Sequence, residues 1–285
     1  MEKGSVGIIG GSGIYNMGGM SGVEELNIDT PFGKPSDSII SGKIEGVKVA
    51  FLPRHGRGHF ISPSELNFRA NIYAMKKIGV EKLISISAVG SLKEKLKPRD
   101  FVIPDQLYDR TKTRVSTFFT DGIVAHIGMA DPFCKRLSTL LIDSCKEAEI
   151  SVHKGGTYVC IEGPQFSTRA ESNVYRRHGF SIIGMTAIPE AKLAREAEMC
   201  YATVALVTDY DVWHEEDVSI EQVLANLAAN TQNAQKLIKT IIPRLKDMQE
   251  CTCQSALQNA IITAKEKKNN TTAKKLELLI KKYLK

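Results

Sequence analysis

Two carboxylates close the most apolar run of the chain. Asp209 and Asp211 follow YATVALVT, a stretch suited to a strand buried on both faces, and carboxylates there are costly to desolvate unless they have a task. If the strand continues through Tyr210, the i, i+2 spacing puts both acids on one side. One can then donate a proton to a ring nitrogen while the other accepts from an exocyclic amine. A loop cap or a salt bridge is the alternative for the pair taken alone. A second constellation is PRHGRGH, where Arg54 and His55 end another apolar run in a glycine-rich loop and are not required for packing. A guanidinium there suits an anion such as phosphate, because its planar fork donates two parallel hydrogen bonds. The glycines between His55 and His59 argue against the continuous helix that an i, i+4 zinc pair needs. A third is GGSG at Gly10 to Gly13, which fits neither the Walker loop nor the dinucleotide fingerprint but offers amides and the Ser12 hydroxyl to a small anion.

The elements that must position these groups alternate. Short β-branched runs at 6–9, 47–52, 82–86, 100–103, 156–161, 180–183 and 201–208 read as strands. Helical patterns fall between them at 64–77, 132–148, 167–178, 189–198 and 220–246, with starts signalled by Ser64, Pro132 and Pro189. Alternation predicts an α/β fold, a central mixed β-sheet flanked by helices in one domain. Ligands of such sheets bind beyond the carboxyl ends of strands. Six polar or glycine-rich clusters follow strands here: 10–13, 53–57, 87–90, 162–167, 185–186 and 209–211. They are expected to converge on one edge, with Ser12, Ser87 and Thr186 contributing hydroxyls.

Composition limits the alternatives. At 42% hydrophobic and 25% charged residues, the chain has the make-up of a globular protein. It has no 18-residue apolar stretch, and glycines interrupt the start, so the expectation is a cytoplasmic protein without a membrane partner. The net charge of +6 does not argue for nucleic acid: eight lysines and two glutamates between Ala264 and Lys285 carry all of it. In that tail Leu276, Leu279, Ile280 and Tyr283 form one helical face, expected to pack on the body or on a neighbouring subunit. Residues 1–250 are therefore read as the domain and 251–285 as a basic helical extension. The six cysteines show no paired CxxC motifs, so no metal is expected; Cys251 and Cys253 are the candidates for a disulfide, with two free thiols as the alternative.

Read together, GIIGGSGIY, DTPFGKPSD, PRHGRGH, SAVGS, HIGMADPFC, IEGPQFSTRAES, GMTAIPEAKLAREAE and TDYDVW look like the nucleoside phosphorylase family, in its S-methyl-5'-thioadenosine phosphorylase branch. The likeness runs from about Gly7 to about Arg244, with the motifs in family order; the tail carries none of it. It implies a nucleoside phosphorylase-like fold and a pentosyltransferase with no cofactor, phosphate being a co-substrate. By the same resemblance phosphate is held by Ser12, Arg54, His55, Ser87, the Ala88 backbone and Thr186. Ribose lies against Met185, and the base lies near Phe166 with hydrogen bonds to Ser167, Asp209 and Asp211. Ile220, Val223 and Leu224 form the wall for a methylthio group, His126 comes from an adjacent subunit, and the assembly is a trimer or a dimer of trimers.

Substrate choice follows from these residues. Members acting on 6-oxopurines carry asparagine where Asp209 stands, whereas acceptor carboxylates fit the amine of adenine and repel the oxygen of hypoxanthine. An apolar wall favours methylthio but rejects a hydroxyl only weakly, by roughly a hundredfold. The expectation is phosphorolysis of 5'-deoxy-5'-methylthioadenosine, with protonated Asp209 donating to N7 and phosphate attacking C1'. A broader purine nucleoside phosphorylase acting on adenosine or inosine is the alternative. Burial and the neighbouring Asp211 are both expected to raise the pKa of Asp209.

Overall fold

The computed structural model describes residues 5–11, 13–14, 18–214, 220–248 and 250–284. Its strands are β1 (Ser5–Gly10), β2 (Ser21–Leu26), β3 (Ile39–Ile44), β4 (Val47–Pro53), β5 (Val80–Ser91), β6 (Phe101–Ile103), β7 (Gln106–Arg110), β8 (Val152–Lys154), β9 (Thr157–Ile161), β10 (Ile182–Gly184) and β11 (Cys200–Asp209). Its helices are α1 (Phe68–Lys77), α2 (Lys135–Glu147), α3 (Arg169–Arg177), α4 (Ala187–Glu196), α5 (Ile220–Leu245), α6 (Asn270–Lys275) and α7 (Glu277–Ile280). All join around one mixed sheet, the α/β arrangement that the alternation predicts.

The sheet forks at β5. Along one edge β5 pairs parallel with β1 as far as Ile9 opposite Ser85, and then antiparallel with β10 at Gly90 and Ser91. Between those partners, no strand among the described residues pairs with residues 86–89 on that edge. On its other edge β5 pairs with β11 from Lys82 to Gly90. A gap between two strand partners at the carboxyl end of β1 is where an open α/β sheet offers a crevice.

Side-chain alternation along the strands feeds two cores. Val49 and Phe51 pack with α2 and α5, whereas Ala50 and Leu52 pack with α1 and α4. The second core also takes Leu257, Leu276, Leu279 and Ile280, so the apolar face of the extension is buried against the body of its own chain. Glu198 ties that extension down: its carboxylate accepts from the Leu257 amide, the Tyr283 hydroxyl and the Lys282 ammonium.

The expected elements all form, with several shifts. The first helix starts at Phe68 instead of Ser64, because Ser62 bonds Glu65 within a turn and Asn67 supplies the cap to the Ala70 amide. The second begins at Lys135, leaving Pro132 outside it. Thr168 caps α3 through a full capping box with Glu171. Strands β2, β3, β7 and β8 were not expected: β2 and β7 are polar and mostly exposed, and Ser41 and Gly42 interrupt the apolar run of β3. Residues 265–275, read from their polar composition as a hinge, hold the short helix α6, and the expected final helix is α7 followed by a 3-10 turn at Lys281–Tyr283. The expected Cys251–Cys253 disulfide is absent: both are free thiols, with sulfurs 3.5 Å apart.

Candidate active site

All six strand-end clusters contribute to a single cavity of about 440 Å³. Ser12 lies outside the described residues, but its neighbours Gly11, Gly13 and Ile14 line the wall. Arg54, His55, Ser87, Ala88 and Thr186 form a second part of the wall, and Phe166, Ser167, Met185, Asp209 and Asp211 a third. Val223 also lines it, together with Leu227 and Thr231 from the same helix. Leu224 does not: it is 58% exposed. The side chain of Ile220 is outside the described residues. His126 is exposed and away from the cavity, its amide bonded to the Ala260 carbonyl.

Arg54 departs from the expectation that packing does not require it. It is 2% exposed, and its Nε and Nη2 meet both oxygens of buried Glu190 at 2.9 and 3.2 Å. Its Nη2 also donates to Ile9 O and Ser85 Oγ, and Nη1 to Ile86 O at 3.0 Å. A guanidinium has five N–H groups. The ones engaged fix the plane of the fork, and among the described residues Nη1 has one acceptor for its two hydrogens. The fork is thus preorganised by the core.

Around it sit small neutral donors. Ser87 Oγ and Thr186 Oγ1 are 2.9 Å apart, and the Tyr158 hydroxyl stands 3.5 Å from Ser87 behind them. His55 Nδ1 bonds the Ile61 carbonyl at 2.8 Å, which makes that nitrogen the donor and leaves Nε2 bare in the neutral ring. Burial and then the Arg54 charge push its pKa down to about 4. His55 and His59 stack with ring centroids 4.3 Å apart, the contact of two aromatic rings and not of a metal pair.

The acids are held differently from each other. The strand ends at Asp209; Tyr210 leaves the extended region and Asp211 takes a left-handed φ of 53° at the start of a 3-10 turn. The premise of a continuing strand therefore fails, yet the turn still brings both carboxylates to the cavity. Asp209 Oδ1 accepts the Asp211 amide at 2.8 Å and Oδ2 lies 2.7 Å from the Thr208 hydroxyl. Asp211 Oδ2 accepts from Ser172 Oγ at 2.5 Å. Burial raises the pKa of Asp209, against the Thr208 and Asp211 hydrogen bonds that lower it. Asp211 is raised by burial too, with the Asp209 charge adding to it. The expected push of Asp211 on Asp209 is replaced by an opposing hydrogen bond from its amide. Ser167 Oγ is buried at the same wall with no partner among the described residues.

Several residues that build the site were not anticipated. Glu190 lies in the apolar helix pattern of PEAKLAREAE, where a fully buried acid is the signal of a paired cation. Arg114, from a polar stretch with no motif, donates from Nη1 to the carbonyls of Met185 and Ile188, each at 2.6 Å, and so clamps the Met185 loop.

A forked mixed sheet carries a cavity at its strand ends, with a buried arginine on the cavity wall. Residues 5–243 match the model of the phosphorylase superfamily, and the chain belongs to that superfamily. Its relatives are narrower. The S-methyl-5'-thioadenosine phosphorylase of Koribacter versatilis is 55% identical over 280 residues, covering 98% of this chain and 96% of that protein. A methylthioadenosine phosphorylase structure sourced from an antarctic soil metagenomic library superposes with a TM-score of 0.94 at 50% identity, covering 97% of this chain and 99% of the other. The methylthioadenosine phosphorylase of Schistosoma mansoni, solved in complex with adenine, gives 0.87 at 35% identity, over 92% of this chain and 100% of that one.

Proposed function

We propose that the protein cleaves 5'-deoxy-5'-methylthioadenosine with inorganic phosphate, releasing adenine and 5-methylthioribose 1-phosphate. The observation that carries this reading is the placement of two chemically opposite groups on one cavity wall along β5. Ser87, beside Arg54 and Thr186, is one pole. Gly90, where an added Cβ would stand 3.0 Å from Asp209 Oδ1, is the other. Three residue rises along the strand separate them, about 10 Å, a span suited to a ribose held between an anion and a base. The names of the relatives support the same substrate.

In this mechanism phosphate sits against Arg54 Nη1, the hydroxyls of Ser12, Ser87 and Thr186, and His55. The Ala88 amide joins them: alternation along β5 puts it on the same open edge as the Ile86 carbonyl that Arg54 takes. A neutral His55 with a bare Nε2 accepts from the hydroxyl of hydrogen phosphate. Attack at C1' breaks the glycosidic bond, and the bond's electrons pass to the base. Asp209 then donates a proton to N7. Its Oδ1 accepts the Asp211 amide, and the Thr208 hydroxyl near Oδ2 also reaches Val89 O, so with Thr208 turned to that carbonyl the proton is carried on Oδ2. Asp211 and Ser167 accept and donate along the base edge, with Phe166 stacking near it and Met185 beneath the ribose. Preorganised donors at both poles act on charge that develops only in the transition state.

The 5' end meets Ile14, Val223 and Leu227; Thr231 donates its hydroxyl to Leu227 O and offers the substrate no free proton. Burial of a methylthio group there contributes about 25 cal/mol per Å². Adenosine is a secondary substrate on this reading, and inosine a poor one. His126 enters the site from an adjacent subunit in a trimer or dimer of trimers. No helix among the described residues is long and apolar enough to cross a membrane.

The test is adenine release from methylthioadenosine, adenosine and inosine, side by side, with and without phosphate. Methylthioadenosine should have the highest kcat/KM and should be inert without phosphate. Phosphate-independent cleavage would make the enzyme a hydrolase, and equal rates on inosine would remove the role given to Asp209. Sedimentation of the same sample reads the assembly.

A further inference from the structure

Sequence spacing offers no metal motif, but the fold brings four of the six cysteines together from three separate segments. Cys134 caps α2, Cys200 opens β11, and Cys251 and Cys253 lie where the C-terminal extension begins. Their four sulfurs all lie within 4.8 Å of one another. Cys134 and Cys251 are 3.7 Å apart, Cys251 and Cys253 3.5 Å.

We propose that Cys134, Cys200, Cys251 and Cys253 form a tetrahedral structural zinc site that fastens the C-terminal extension to the body of the domain. The distances carry the argument. Zinc–thiolate bonds of about 2.3 Å in a tetrahedron put neighbouring sulfurs roughly 3.8 Å apart. A disulfide needs about 2.05 Å. The separations of 3.7 and 3.5 Å lie near the first figure, and four mutually adjacent sulfurs form a closed ligand set, whereas disulfides would draw them into two separate pairs.

The surroundings suit a set of four thiolates around a divalent cation, which carries net negative charge. Arg195 Nη1 lies 3.7 Å from Cys253 Sγ, and Cys134 stands at the amino end of a 13-residue helix whose dipole favours an anion. Three of the four cysteines are buried and Cys251 is half-buried, so the site is closed, as structural zinc sites are, with no position left for a substrate. Arg136 donates to the Glu250 carbonyl at 2.8 Å, holding the approach of the segment that brings in two ligands. Four deprotonated cysteines bind the ion, and four protons leave to solvent; no electron is transferred.

The full-length chain, purified with reductant, should contain one zinc per chain by elemental mass spectrometry. Cobalt(II) added after the metal is stripped should give the intense visible and near-ultraviolet absorption of a tetrahedral tetrathiolate. Cys251→Ser, a change at the most exposed ligand, should lower zinc content severalfold and lower the Tm while leaving kcat on the nucleoside unchanged. Zinc-free protein with a cobalt spectrum lacking thiolate bands overturns the proposal. So does an intact mass, measured without reductant, lowered by the hydrogens lost to disulfides, or iron in place of zinc.

Discussion

Arg54 and Glu190 form a fully buried two-point ion pair beneath the cavity, at 2.9 and 3.2 Å. The pair joins the loop after β4 to α4, and the same guanidinium reaches the carbonyls of Ile9 and Ile86. The group proposed to hold phosphate is therefore also a strut between β1, β5 and the helix layer. Breaking a buried pair by removing one partner costs about 3–5 kcal/mol, because the other charge is left uncompensated.

Glu190→Ala should accordingly destabilise the protein by about 3–5 kcal/mol in urea unfolding. The KM for phosphate should rise as well, since the fork loses its orientation. Arg54→Ala should do both more severely. If Glu190→Ala altered only stability, with phosphate KM unmoved, the strut would be independent of anion binding.

Asp209→Asn keeps the shape of the side chain and removes its acid. Turnover of methylthioadenosine should fall by about 10²–10⁴, the usual contribution of a positioned acid. The pH profile of the parent carries the sign: the active form is protonated, so kcat should be full below the raised pKa of Asp209 and decline as pH climbs through it. A flat profile through the neutral range, or activity retained in the variant, would show that the proton comes from elsewhere.

Ser172→Ala removes the 2.5 Å bond to Asp211 without touching the cavity wall. That bond lowers the Asp211 pKa, so its loss should raise it further. Nucleoside KM should increase severalfold with kcat little changed. Steady-state kinetics separate the two constants.

His55 gives a stability prediction. Its folded pKa, about 4, lies below the unfolded value of about 6.5. The unfolded chain binds more protons between those limits, so stability should fall as pH is lowered through that window and gain nothing from His55 above it. Thermal unfolding across the window, compared with His55→Asn, should show a shallower slope in the variant. Saturating phosphate should oppose the loss, because an anion beside the ring favours its protonated form.

Much of this arrangement was legible in the chain and some of it could not be. Strand-end clusters at Arg54, Ser87, Thr186 and Asp209 announced themselves because polar residues follow apolar β-branched runs, and all four reach one cavity. The edge strands β2 and β7 were silent, since their partners come from backbone pairing and their side chains face water. Glu190 and Arg114 are contacts across 136 and 71 residues, respectively, with Arg54 and Met185, and no local pattern encodes such distances. The four-cysteine cluster is of the same kind: motif spacing tests neighbours in sequence, and these ligands are neighbours only after folding.

The left-handed backbone at Asp211 limits what engineering can attempt there. At φ 53° a side chain with a branched or bulky β-carbon is strained, whereas glycine, asparagine and aspartate are accommodated. A saturation library at this codon would be filtered by backbone geometry before any nucleoside was offered. Redesign toward other bases must therefore start from asparagine or glycine at 211, with new recognition groups introduced at Ser167 or Phe166 instead.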